Sequence, residues 1–485
     1  MPILSIIIGT PLVGLLLIMI LPKGQVALAR MVALLATGTA FVLSWSLLFR
    51  FDRETAALQF AERQPWVPEL GMGYSLGIDG LSFPLVLLTT LVTVVAVLSS
   101  WNVTERVRSY FAWFMLLELS MLGVFVAQDW FLFYVFWEIG LIPMFFLIGQ
   151  WGGERRNVAT MSFFLYTLGG SIAMLLGIVA LYLNTDPRTF DMMAMMQAQG
   201  GWSQAFQMAP FVAFFLGFAV KIPAFPLHGW LPLAHVEAPT PVSIILSAVM
   251  LKMGGYGLMR LGTLLPLGLE WFSPVLLAIG LVNIVYGALL AWRQTDLKSM
   301  VAFSSISHMG FVIVGVAALN ASGFSGAALQ MVTHGIITAG LFVLVGVIYE
   351  RTHTREVTEF GGLSTRIPIF SVLMSLALLA SMGMPGLAQF VSELLVLLGA
   401  FQRWGLYVVV AMVAILLTAA YSLRTIGRMF MGPPNPRWAN ISDIRGAELA
   451  AALPLAFLTF LLGLYPSVAL NLMRATMEQA VAIFE

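Results

Sequence analysis

Cysteine is absent from the 485 residues. That excludes thiolate zinc sites, cysteine-ligated iron–sulfur clusters, disulfides and thiol catalysis from this chain. Charge is scarce: Asp, Glu, Lys and Arg make up 10% of the residues, where a soluble domain carries roughly 25%. The net charge of +1 provides no basic field to attract nucleic acid, and no motif of an RNA- or DNA-binding fold is present. There is no P-loop, and GGYG at 254–257 lacks the third glycine and the preceding strand of a dinucleotide fingerprint. Close helix packing is expected there instead. Linkers rich in Pro or Ser, acidic tails and low-complexity stretches are also missing, so the chain reads as a single domain.

What fills the sequence is apolar: 60% of the residues are hydrophobic and 12% aromatic. A chain with so little charge has lipid as its natural solvent, and aromatic rings suit the ends of spans. The first 23 residues, MPILSIIIGTPLVGLLLIMILPK, have no basic leader and no small-residue cleavage site. They read as a retained first transmembrane helix rather than a signal peptide.

Apolar runs of about 20 residues cross a hydrocarbon core about 30 Å thick. Such runs lie near 2–22, 28–49, 79–99, 110–128, 130–150, 160–183 and 207–227. The others lie near 239–260, 271–291, 298–319, 326–349, 368–399, 404–431 and 448–475. An all-α polytopic membrane protein of about fourteen helices is expected. Fifteen of the 24 basic residues then fall in loops on one side, Lys23, Arg155, Lys298 and Arg355 among them, and seven on the other, including Arg260. By the positive-inside rule both termini are expected on the outer side of the membrane. The remaining two, Lys221 and Lys252, lie inside spans.

Two spans are interrupted. FAVKIPAFPLHGWLP carries Pro223 and Pro226 inside the seventh, and Gly383, Pro385 and Gly386 break the twelfth. Proline removes a backbone donor, and broken helices persist in lipid only where protein or water covers the freed groups. The breaks lie five spans apart, so spans four to eight (110–260) and nine to thirteen (271–431) are expected to form two inverted five-helix repeats. Residues 1–109 supply N-terminal helices and 448–485 a C-terminal helix. Transporters place ion sites at such discontinuous helices. Pro and Gly are also common in membrane helices generally, but here each break has an ionisable neighbour.

An ionised group at the bilayer centre costs at least ~2.5–3.5 kcal/mol, so four unpaired ones would cost on the order of 10 kcal/mol. Glu138 lies about nine residues into its span, ~13 Å deep at 1.5 Å per residue. Lys221 adjoins the seventh-span break, Lys252 is equally central, and Glu393 follows the twelfth-span break. His308 and His334 add two imidazoles, each able to pass a proton between its ring nitrogens. Taken singly, each histidine is as readily a packing residue. Together with buried Lys and Glu they form a candidate proton relay, in which an adjacent Glu138–Lys221 ion pair would hold the lysine charged. Glu118 and His228 are accessory candidates. Glu118 is expected to pair with a relay lysine or to form a structural ion pair. His228 and His235 follow the break in a proline-rich, loop-like stretch and are read as relay or gate residues rather than metal ligands, since no third ligand accompanies them.

These residues sit in recognisable strings: LGIDGLSFPL at 76–85, FYVFWEIGLIP at 133–143, VKIPAFPLHGWLPLAH at 220–235 and APTPVSIILSAVMLKMGGYGLMR at 238–260. LKSMVAFSSISHMGFV at 297–312, MVTHGIITAGLF at 331–342 and MPGLAQFVSELLVL at 384–397 complete the set. Along nearly its whole length the chain resembles the antiporter-like proton-channel subunits of NADH:quinone oxidoreductase (complex I), and most specifically the subunit M, or chain 4, branch. The resemblance implies a fourteen-helix membrane-arm subunit in which Glu138, Lys221, Lys252, His308, His334 and Glu393 form the proton path. Glutamate at 393 favours the M branch, since L- and N-type subunits usually carry lysine there. It further implies no cofactor in this chain, with quinone, flavin and iron–sulfur clusters on other subunits. Neighbouring L- and N-type chains, the lipid bilayer and protons are the implied partners. The implied location is a bacterial plasma membrane or a thylakoid. GLAQFVSE departs from the GTNNFVGE pattern of mitochondrial relatives, without removing a charged position. A multi-subunit Na⁺/H⁺ antiporter chain or a membrane-bound hydrogenase chain is the alternative transporter, and a passive scaffold the alternative without transport.

Overall fold

The computed structural model describes residues 2–22 and 24–484; Lys23, counted above among the loop cations, lies outside them. Two N-terminal helices, α1 (Ile3–Ile20) and α2 (Val26–Ser46), precede a hairpin of β1 (Gln59–Val67) and β2 (Met72–Ile78). The strands pair antiparallel around Gly71. No strand is expected here from the sequence, and the reason is physical: β1 buries neither face, so it carries no alternation to read. Glu62 ties the hairpin to the start of α1 by accepting the Leu4 N–H at 2.7 Å.

The bundle continues with α3 (Ser82–Ser99), α4 (Val107–Val126), α5 (Trp130–Ile139), α6 (Leu141–Trp151) and α7 (Arg156–Leu183). The short surface helix α8 (Met192–Ala198) leads into α9 (Gln204–Lys221), α10 (Trp230–Glu237), α11 (Thr240–Ile245) and α12 (Leu251–Leu264). The second half holds α13 (Pro266–Arg293), α14 (Leu297–Ala317), α15 (Ala321–Thr352), α16 (Pro368–Ser381) and α17 (Ala388–Trp404). It ends with α18 (Val409–Phe430), α19 (Ala447–Leu464) and α20 (Ser467–Val481).

Among the described residues, thirteen helical runs are long and apolar enough to cross a membrane, with α16 as a shorter apolar helix. One of the thirteen, Ala388–Phe430, has 43 residues. At 1.5 Å per residue it would measure ~65 Å, about twice a hydrocarbon core. Gly405, at φ +57°, breaks it between α17 and α18.

Both interruptions read from proline and glycine are real. Helix α9 stops at Lys221 and α10 starts at Trp230; α16 stops at Ser381 and α17 starts at Ala388. Freed backbone groups at the first break are taken up by side chains. Asn283 Oδ1 accepts the Phe225 N–H at 2.7 Å, its Nδ2 donates to Pro223 O at 3.0 Å, and Trp230 Nε1 donates to Val220 O at 2.9 Å. At the second break Gln389 Nε2 donates to Ser381 O at 3.0 Å.

Burial sorts the spans. The run Thr240–Leu264 and helix α15 are buried throughout their most apolar windows, whereas only 22% of that of the α2 run is. In lipid a polar side chain is tolerated only on an interior helix, so the central pair is where chemistry can sit. The GGYG string provides the close packing expected of it: a Cβ at Gly254 would lie 2.8 Å from Phe218 O of α9.

Candidate proton-transfer site

Helix α12 begins at a distortion. Residues Leu246–Met250 form a π-helical turn between α11 and α12, a geometry that opens the backbone ladder and recurs at functional sites. Lys252 uses the opening: its Nζ donates to Ser247 O at 2.5 Å and meets His334 Nδ1 of α15 at 2.6 Å. A contact that short joins one proton donor to one acceptor. The His334 ring lies 5.3 Å from the His308 ring of α14, inclined at 63°. His308 Nε2 in turn lies 4.0 Å from Glu393 Oε1 of α17. Lys252, His334, His308 and Glu393 thus form one buried chain across four elements, each no more than 6% exposed.

Glu393 is anchored by a residue one turn before it on α17. Gln389 Nε2 donates to its Oε1 at 2.8 Å. Ser392 joins Gln330 Oε1 to Thr333. Gly383, at φ +77° in the second break, leaves room for Oε2: a Cβ there would stand 3.0 Å from it.

Glu138 and Lys221 form a separate cluster. Lys221 is 1% exposed and closes α9, with its Nζ 5.3 Å from the Trp137 ring centre and 5.5 Å from that of Phe163. Glu138 is half-buried at the junction of α5 and α6. No ion pair within 4.0 Å joins the two among the described residues, and neither Lys221 Nζ nor Glu138 Oε1 has a hydrogen-bond partner. The adjacent ion pair expected from sequence is corrected accordingly. Lys221 is enclosed by aromatic faces, a cation–π environment, with the carboxylate further off.

The accessory candidates are not part of either cluster. Glu118 is fully buried in α4, and neither oxygen has a partner, so the expected ion pair to a lysine is not formed. His228 lies against Phe225 and Tyr286, at 5.7 and 5.2 Å between ring centres. His235 is not in a loop: it lies in α10, fully buried and stacked on Phe342 at 4.8 Å.

Sequence reasoning missed several residues. Of the residues counted as loop cations, Lys298 is interior and Arg260 is largely so, its side chain 16% exposed. Arg260 makes a two-pronged bond to Asp79, NH1 to Oδ2 at 2.5 Å and NH2 to Oδ1 at 2.7 Å. Lys298 is 2% exposed and donates to the carbonyls of Val236 and Ala238. Asn283, Gln330 and Gln389 carried no signal beyond being amides within apolar runs.

The family model described as NADH:quinone oxidoreductase/Mrp antiporter, transmembrane, matches residues 127–418. The chain belongs to this family. It is 41% identical to NADH-quinone oxidoreductase subunit M of Rhodobacter capsulatus, covering 99% of this chain and 96% of that one. It is likewise 41% identical to an NAD(P)H-quinone oxidoreductase chain 4 of a Synechococcus strain, covering 96% of this chain and 90% of the relative. In structure it matches a full chain of respiratory complex I from Thermus thermophilus with TM-score 0.92, 29% identity and full coverage of both. The resemblance to the M branch read from the motifs is thereby borne out, and the matched span of the family model contains every residue of the buried chain. The chain is an integral membrane protein with the antiporter-like fold of this family.

Proposed function

We propose that this chain is the proton-translocating, antiporter-like M-type subunit of the membrane arm of a complex I-type oxidoreductase. Electron transfer elsewhere in the complex would drive proton movement through it. The observation that supports this most is the buried series Lys252, His334, His308 and Glu393, each member beside the next. Four ionisable groups in one line within an apolar bundle are costly unless they carry function.

Each group does a defined part. Lys252 passes a proton from Nζ to His334 Nδ1. His334 releases its other proton from Nε2 toward His308, the two-ended transfer that imidazole permits. His308 hands on to Glu393, across a gap that one water or a small side-chain rotation closes. Lys221 is the input-side carrier, and Glu138 acts on it through space, because the charge on one alters the proton affinity of the other. No electron carrier is assigned to this chain: NADH, flavin, iron–sulfur clusters and quinone belong to other subunits. L- and N-type chains are its proposed neighbours, and the charge distribution of the loops supports both termini lying on the outer side. Plasma membrane and thylakoid are equally compatible with this reading.

Glu393 provides the test. In the assembled complex, Glu393→Gln keeps the shape and the Gln389 contact but removes the proton. NADH-driven pumping should fall by tenfold or more, in keeping with the ~10²–10⁴-fold contribution of a positioned proton donor. Glu393→Asp should retain partial pumping. Full translocation by an intact Glu393→Gln complex rejects the role. Pumping that depends on sodium rather than on NADH oxidation would instead favour the Na⁺/H⁺ antiporter alternative.

A further inference from the structure

Helix α18 places four hydroxyls on its buried face. Thr418, Tyr421, Ser422 and Thr425 follow one another at helical spacing and are at most 5% exposed, while Met412, Leu416 and Leu423 opposite are more than half exposed. Two of the four are accounted for by the helix itself. Thr418 donates to Ala414 O and Thr425 to Tyr421 O, each at 2.8 Å, the usual way a membrane helix satisfies threonine. The Tyr421 hydroxyl and Ser422 Oγ are buried and have no hydrogen-bond partner among the described residues. An unpaired polar group in an apolar interior costs about 1–3 kcal/mol, and a phenylalanine and an alanine would avoid it.

Their position gives them a use. Thr425, one turn further along α18, reaches Met300 of α14 one turn before Ser304, and α18 packs against α16, whose last residue Ser381 accepts from the same Gln389 that holds Glu393. Ser304 precedes His308 by one turn of α14, and Ser381 closes α16 at the second break. Further unpartnered buried atoms crowd the same place: both His308 ring nitrogens and Gln389 Oε1. Groups of this kind are satisfied by ordered water. From Tyr421 the hydroxyl face runs toward the end of α18 that carries Arg424, which donates to Trp292 O at 2.7 Å. Thr425 and Met300 Sδ, 3.4 Å apart, narrow that way.

We propose that Tyr421 is a further proton carrier, linking the Glu393–His308 end of the buried chain through ordered water to a passage along the hydroxyl face of α18. The phenol accepts a proton from one neighbour as it releases its own to the next, so it is neutral before and after each transfer. This rests on the reading of the buried chain as a proton path.

The experiment uses the assembled complex. Tyr421→Phe keeps the ring and removes only the oxygen. NADH-driven pumping should fall about tenfold, below the full contribution of a proton carrier because water can replace part of it. Assembly and thermal unfolding should stay unchanged, and the solvent deuterium isotope effect on the residual rate should rise. Because the chain has no cysteine of its own, single replacements can be followed directly. Ser422→Cys should react with a small hydrophilic thiol reagent, and Leu416→Cys, on the outward apolar face of α18, should not. Normal pumping by Tyr421→Phe while Glu393→Gln is impaired overturns the proposal alone, as does a Ser422→Cys thiol no more reactive than that of Leu416→Cys. Normal pumping by both Tyr421→Phe and Glu393→Gln overturns the proposal together with the proton-path reading.

Discussion

At the scale of single residues, Asp79 and Arg260 show how this protein deals with charge that does no transport. Burial alone would raise the Asp79 carboxyl, but the Arg260 guanidinium and the N–H groups of Leu81 and Ser82 outweigh it and hold it below its ordinary value. Its contribution to stability is therefore complete above the usual carboxylate range and is lost as pH falls through the lowered value. Asp79→Asn leaves a buried guanidinium without its counter-charge. We expect a cost of about 3–5 kcal/mol, typical of breaking a buried pair, read as a lower unfolding temperature in detergent. An unchanged unfolding temperature would show that Arg260 finds another acceptor. The same contrast explains what sequence reveals at this scale. Lys221, Lys252, His308, His334 and Glu393 are legible because an ionisable residue in the middle of an apolar run has no bland explanation. Arg260 and Lys298 are not, because near a span end a loop cation and a buried one look alike until the tertiary fold places Asp79 or the Val236 carbonyl beside them. The spacing of Glu138 from Lys221 is illegible for the same reason: it depends on how α5 meets α9.

At the scale of elements, the two helix breaks matter most, and both could be read from Pro and Gly alone. What the sequence leaves unread is what holds them: Asn283 from α13 at one, Gln389 at the other. Gly383 allows a direct test. It has φ +77°, and a methyl group there would press on Glu393 Oε2. Gly405 has φ +57° with open space around it. Alanine in either place must take on a positive φ, at a cost of at least about 1–2 kcal/mol, and at Gly405, whose ψ is −135°, the cost is the larger. Gly383→Ala should displace the carboxylate and depress pumping, whereas Gly405→Ala should lose at least as much stability and pump normally. Equal pumping by the two variants would mean that the Gly383 break is merely a turn. The hairpin stayed hidden for a different reason, since an exposed ribbon needs no apolar face.

At the scale of the whole molecule, poorly buried outer helices surround an almost wholly buried core of α11, α12, α14 and α15, and the ionisable chain runs through that core to Glu393 on the buried side of α17. This arrangement keeps the charges away from lipid and lines them up across the bundle, from the π-helical turn at Lys252 to the break at Glu393. The central claim is that protons cross by this line, and Lys252 is the member that begins it. The most direct measurement is the ratio of protons pumped to NADH oxidised in sealed vesicles holding the assembled Lys252→Met complex. The account predicts that coupled turnover falls by tenfold or more and that the ratio drops with it, the loss expected on removing a positioned proton carrier of ~10²–10⁴-fold effect. A fully assembled Lys252→Met complex with the wild-type turnover and the wild-type ratio would contradict it.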